Sequence, residues 1–236
     1  SKIRIEEKNG NRVDLSEINE ANFMPSDQDY LAAVDKGDTG AAQAMVDQAA
    51  KKAGHKGPYF HGSPNTGKFN QFAPGRGGAM FFSENKSYSE DFGKVGSYYL
   101  KSNKVFDFVN NPEHRQKAIN LFNELGGWKT RVEDGDIEPR DYRYDPKLDD
   151  DWEIFDNPDT GLLDRLSDQE GYDEFIFRED TDTIAHAVFD PSQIKSAEPV
   201  TRDDDGNVIP LSERFNPEED DFRYMPATDD LGFYSR

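Results

Sequence analysis

Residues 58–63, Pro58-Tyr59-Phe60-His61-Gly62-Ser63, and residues 79–83, Ala79-Met80-Phe81-Phe82-Ser83, decide how this chain reads. Each is a short apolar and aromatic run that ends in a turn or a polar residue, the signature of a strand. Between them lies a Gly- and Pro-rich loop. Glu84 to Phe92 is polar, helix-compatible and stopped by Gly93. Further strands are expected at Ser97–Lys101, Lys104–Phe108, Tyr172–Phe177 and Ile184–Phe189. Pro112 to Leu125 reads as a helix, with Pro at its start and Gly126-Gly127 after its end. Leu162, Leu163 and Leu166 suggest a short helix, and residues 133–151 an irregular acidic loop. Upstream, Ser26 is a fit N-cap for a helix carrying Tyr30, Leu31 and Val34 on one face. Ala41 to Ala53 repeats Ala42, Met45, Val46 and Ala49 at helical spacing and meets Gly54. The expectation is an α+β domain over residues 26–197 that opens on a helical hairpin (26–56). An N-terminal extension (1–25, with a strand at Ile3 and Ile5) precedes it, and an extended acidic tail (198–236) wraps its surface.

The chain has 236 residues and a formal charge of −20. Phosphate contact depends on Lys and Arg, so that charge speaks against a general nucleic-acid or anionic-membrane binder. The charge is uneven. Residues 51–104 hold nine basic and three acidic side chains, residues 133–230 nine and thirty-two. A phosphate-bearing ligand would meet the first segment. Hydrophobic residues are only 34%, but 12% aromatics supply large buried areas and separate the chain from a disordered one. With no Cys there is no disulfide framework, thiolate zinc site or cysteine nucleophile, which suits a reducing compartment such as the cytoplasm. No apolar run nears the roughly 18 residues of a membrane span. The start, Ser1-Lys2-Ile3-Arg4, has neither Met nor an apolar signal core and reads as part of a longer protein.

Several chemistries fail on inventory. His55, His61, His114 and His186 lack zinc-ligand spacing, so no metal is expected. Gly75-Arg76-Gly77-Gly78 does not space its glycines as a dinucleotide loop does. Asp203-Asp204-Asp205-Gly206-Asn207 lacks the acid a calcium loop needs at its twelfth position, and reads as a hairpin turn. What remains is a set of three pieces: His61-Gly62-Ser63 leaving a strand, Phe81 on an aromatic strand with Phe92 eleven positions later, and the late strand Ala185-His186-Ala187-Val188-Phe189-Asp190-Pro191. Taken singly, each has a bland reading as turn or core.

Their order and spacing resemble the ADP-ribosyltransferase fold of diphtheria toxin and the poly(ADP-ribose) polymerases: split antiparallel sheets around a cleft. That branch carries His-Gly, then Tyr, then a second Tyr eleven residues on with a Ser three before it, then a late Glu. Here His61-Gly62, Phe81, Phe92 and Ser89 fall at those places. The chain is most similar to transferase-like modules of phage and mobile-element polyvalent proteins. They share Gly171-Tyr172-Asp173, the phrase from Val188 to Ala197 and a tail like Ile209 to Asn216. This resemblance spans residues 26–226.

The resemblance implies NAD+ as substrate and an effector-like, toxin-like glycosyltransferase that modifies a macromolecule, a protein before a nucleic acid, inside a host cell. It implies that His61 bonds the adenosine-side ribose, and that Gly62 and Ser89 meet the nicotinamide carboxamide. Phe81 and Phe92 would sandwich the ring, which needs a π-face and not a phenol. Ser63 joins that binding set, with Arg76 and Lys68 toward the pyrophosphate. Aligning on the late strand puts Ala185 where the Glu belongs. The replacement acid is Glu179, at the end of the preceding strand. Glu174 shares that strand, but period-two alternation sets it with Ile176 and Arg178, away from Phe175 and Phe177. His186, beside Ala185, is a further entrant. The alternative is a catalytically degenerate module that binds NAD+ or a protein without turnover.

Overall fold

The computed structural model describes residues 25–64, 69–75, 78–126, 151–155, 161–180, 182–215, 218 and 220–223. The strand expected at Ile3 and Ile5, nearly all of the acidic loop at 133–151, and Lys68 and Arg76 lie outside them. Seven strands run β1 (Lys56–Ser63), β2 (Met80–Ser83), β3 (Lys94–Leu100), β4 (Val105–Asp107), β5 (Glu174–Arg178), β6 (Ile184–Val188) and β7 (Ile194–Ser196). They form one sheet in the order β4-β5-β6-β2-β1-β3-β7. All neighbours are antiparallel except the outer pair β4 and β5, which is parallel.

The sheet is nearly two. β1 and β2 share a single registered pair, Phe60 with Ser83. On either side the ladders are long: six registered pairs join β1 to β3 and four join β2 to β6. The α+β class expected from the sequence is present. In place of two antiparallel sheets there is one mixed sheet, whose halves meet at a hinge where β1 and β2 share that single pair. β7 was not foreseen as a strand. At three residues on a sheet edge, its period is too short to read.

Alternation along the strands sorts the core. In register, Phe175 faces Ala187 and Phe177 faces Ala185 across β5 and β6. Each large ring meets a methyl group on the face that packs under α4 (Pro112–Leu125), α5 (Asp151–Phe155) and α6 (Leu162–Asp164). Asn111 caps α4 by accepting from the Glu113 and His114 amides, with Pro112 at its first turn. The opposite face holds Met80, Phe82, Tyr98, Leu100, Val188 and Ile194 under Phe72 and Phe222.

The hairpin of α1 (Asp27–Asp35) and α2 (Thr39–Lys52) forms as expected. Ser26 Oγ accepts from the Asp29 amide at 3.1 Å, and Asp38 caps α2 through the Ala41 amide at 3.0 Å. Gly37 turns the chain between them with φ +72°. Residues 196–215 fasten the hairpin to the sheet through Arg214, which is 1% exposed. Its Nη1 donates to Tyr30 Oη (3.2 Å) and its Nη2 to the Ser196 and Glu198 carbonyls (3.2 and 2.6 Å). Asp27 accepts from the Ser212 amide and hydroxyl at 2.8 and 2.6 Å. Asp203 and Asn207 close the expected hairpin turn, with the Asp203 amide 3.0 Å from the Asn207 carbonyl. Among the described residues, no helix is long and apolar enough to cross a membrane.

Two stability predictions follow from buried polar groups. Arg214→Met strands the Ser196 and Glu198 carbonyls without their donor, and an unsatisfied buried group costs about 1–3 kcal/mol. Urea melts should show a loss of about 3 kcal/mol; a loss under about 0.5 would refute the staple. His55, whose ring nitrogens have no hydrogen-bond partner, is held down to a pKa of about 4 by burial, then by Lys101 and Lys195. The unfolded chain takes up that proton near pH 6.5, the folded chain only near 4. Stability from this site is full above 6.5 and falls by about 3 kcal/mol toward pH 4. Urea melts at pH 7 and 4.5 should show a shallower slope for His55→Leu than for wild type.

Candidate active site

The hinge between the sheet halves opens into a cavity of about 420 Å³. Phe60, His61 and Gly62 of β1 and Phe81, Phe82 and Ser83 of β2 form two of its walls. Tyr88, Ser89 and Phe92 come from α3 (Lys86–Glu90) and the turn after it. Phe177, Glu179 and Ala185 come from β5, the turn beyond it and β6.

His61 stands at the hinge. Its Nδ1 lies 2.7 Å from the Phe81 carbonyl. A carbonyl only accepts, so Nδ1 carries the hydrogen and the neutral ring keeps an acceptor lone pair at Nε2. The ring is wedged edge-on against Phe72 at 5.0 Å and beside Phe82 at 5.5 Å. Burial pulls its pKa below the ordinary histidine value, against the opposing pull of the Phe81 carbonyl, so the uncharged form is the one present at neutral pH.

α3 lies directly on β1. Asn85 caps it through the Ser87 and Tyr88 amides at 3.0 and 3.3 Å, and Ser83 Oγ accepts from the Asn85 amide at 2.9 Å. Ser89, buried, donates its hydroxyl to the Phe60 carbonyl at 3.2 Å. A Cβ on Gly62 would stand 1.9 Å from the Ser89 carbonyl oxygen. The glycine is thus required by the helix packed on it, whatever a ligand asks. Gly93, at φ +121°, brings the end of this turn back onto Ser63, where a Cβ would fall 2.4 Å from the carbonyl oxygen.

A carboxylate reaches the cavity from a different element than the late strand. Ala185 lines the cavity, paired with Ser83 on one side and Phe177 on the other. Glu179, one residue past β5, lines the same cavity. Its amide bonds the Thr183 carbonyl at 2.9 Å, and its Oε1 accepts from Tyr88 Oη at 3.0 Å. Burial, then the Glu179 charge and hydrogen bond, push the Tyr88 hydroxyl well above the ordinary tyrosine value.

Of the residues singled out in the sequence, the structure brings His61, Gly62, Phe81, Ser89, Phe92 and Glu179 to one cavity. Phe92 stands at its mouth, half-exposed and 5.2 Å from the Tyr88 ring. Ser63 ends β1 opposite Lys94, outside the lining. His186 does not enter. Alternation turns it to the opposite face, where Nδ1 meets Glu174 at 2.7 Å, Nε2 meets Glu84 at 3.2 Å and the ring lies 4.1 Å from Tyr59. Glu174 shares that face, as its period predicts, and also accepts from Ser102. Burial works against its charge, but the His186 and Ser102 hydrogen bonds outweigh it and hold the carboxyl below its ordinary value. Tyr88 and Phe177 were not foreseen. For Tyr88 a signal existed, since it precedes Phe92 by four residues and so shares its helix face.

A model of the family ADP-ribosyltransferase in polyvalent proteins matches residues 51–202, more than half of the chain. The chain belongs to that family. The matched span contains every residue that lines the cavity. The α+β sheet is consistent with that family, which uses NAD+ as substrate in general. No curated protein and no solved structure matches the chain. Among the described residues, no group of three or more His, Cys, Asp or Glu is placed to hold a metal.

The contact at Gly62 makes a direct prediction. Gly62→Ala should displace α3 and cost about 1–3 kcal/mol, the usual range for overpacking. Thermal melts of the purified chain test it, and an unchanged melting temperature would contradict the packing.

Proposed function

We propose that the chain transfers ADP-ribose from NAD+ to a protein acceptor in the cleft at the sheet hinge. The observation that carries the reading is the convergence of His61, Gly62, Ser89, Phe81, Phe92 and Glu179 on one cavity of about 420 Å³. Such a volume lies in the range of small-ligand sites. Nine of its twelve lining residues come from segment 51–104; none of them is Lys or Arg, so a pyrophosphate would be met by that segment's cations beyond the lining.

In this reading His61 Nε2 accepts from an adenosine-side ribose hydroxyl, which the neutral tautomer permits. The Gly62 backbone and Ser89 hold the carboxamide, and Phe81 and Phe92 flank the nicotinamide ring. Glu179 accepts a hydrogen bond from the nicotinamide-ribose 2′-hydroxyl. The glycosidic C1′–N bond then breaks. Its electron pair moves to the nicotinamide nitrogen, which leaves neutral, and the cation left on the ribose is steadied by the carboxylate. The acceptor attacks C1′, forms the new bond and gives up its proton. Catalysis is positional and electrostatic. The acidic remainder of the chain disfavours a nucleic-acid acceptor. A mobile-element effector acting in the cytoplasm of a host cell fits the family and the absence of cysteine.

One observation favours a second reading, a module that binds NAD+ without turnover: the strand position of the family's acid is Ala185. Labelled NAD+ incubated with cell lysate separates the two. In the first, wild type labels protein, Glu179→Gln falls by about 10²–10³, and His61→Ala loses NAD+ affinity. In the second, NAD+ binds with no label in any variant. Equal labelling above background by all three proteins would refute the site assignment.

A further inference from the structure

We infer that Tyr88 is the positioning residue for Glu179, and that the two together stand in for an acid at strand position 185. The inference rests on the reading of the cleft given above.

A carboxylate on β6 would be fixed by the ladders on both sides of that strand, since Ala185 is registered with Ser83 and with Phe177. Glu179 lies past the end of those ladders. It follows the last residue of β5 at the start of the turn that returns to β6, and its amide contact to Thr183 orients the backbone but not the side chain. Tyr88 supplies a side-chain tether. Its hydroxyl donates to Glu179 Oε1 at 3.0 Å across the cavity that both residues line.

Tyr88 is itself held at both ends of its reach. The Asn85 side chain accepts from its amide at 3.3 Å, and its ring lies against Phe92 at 5.2 Å. The same ring therefore sets the aromatic wall and the acid. Because α3 is packed on β1 through Ser89 and Gly62, the Tyr88–Glu179 bond also ties the β1 half of the sheet to the β5 half, beyond the single backbone pair that joins them. Burial and the carboxylate keep the phenol protonated, so it remains a donor over the whole neutral range.

The test uses the full chain and follows nicotinamide release from NAD+ with water as acceptor, together with NAD+ affinity by calorimetry. Tyr88→Phe keeps the ring against Phe92 and removes only the hydroxyl. We expect kcat to fall by about 10–100-fold, the scale of a misplaced catalytic group, with KM and Kd within about threefold of wild type. Introducing Tyr88→Phe into Glu179→Gln should cost nothing further, because the hydroxyl acts through the acid. Tyr88→Ala should raise KM as well, since the wall is lost. If Glu179→Gln is inactive but Tyr88→Phe turns over within twofold of wild type, or if the two losses multiply, this inference fails and the acid assignment stands. A wild-type rate in Glu179→Gln overturns both.

Discussion

Between β1 and β2 the backbone ladder holds at Phe60 and Ser83 alone, and past that pair the His61 ring reaches the Phe81 carbonyl in place of a backbone donor. Buried carbonyls need a partner, so a strand junction cannot simply be left open. Here a side chain satisfies the carbonyl and leaves the strands apart. The cavity is the space that results. The same contact fixes the tautomer of the histidine, and so decides that its other nitrogen accepts and does not donate.

Everything packed around the hinge holds the two halves at that spacing. On the β1 side, Gly62 and Gly93 let α3 and its following turn lie against the strand at backbone distance. On the β5–β6 side, Phe177 pairs with Ala185, and both line the cavity. The opposite face of β5 and β6 is tied by a different means, Glu174 and Glu84 on the two nitrogens of His186. One strand thus carries a small residue toward the cleft and a polar anchor away from it.

Farther out, the phrase from Val188 to Ala197 forms a brace. Gln193 accepts from the Phe189 and Asp190 amides and donates to the Lys101 and Asp173 carbonyls, all within 3.2 Å. It joins the ends of β3, β5 and β6 at one side chain. Arg214 does the same for the helical hairpin. Gln193 and Arg214 hold carbonyls and do not line the cavity.

Local order was legible because it rests on short-range physics. The cap at Ser26, the helix from Pro112 to Leu125 and the strands around His61 and Phe81 follow from period, capping chemistry and turn residues. The facing of Glu174 away from the cleft followed from alternation, and the same rule, applied to His186, would have excluded it. By itself the sequence determined the residue types available for binding: a His-Gly turn, two phenylalanines eleven apart, a serine between them and an acid near the late strand. The tertiary structure alone decided what that acid meets in their cavity. That depends on a contact between Tyr88 and Glu179, ninety-one residues apart. Neither helix nor strand periodicity carries information over such a separation; only the packing of α3 on one half of a split sheet brings the two together.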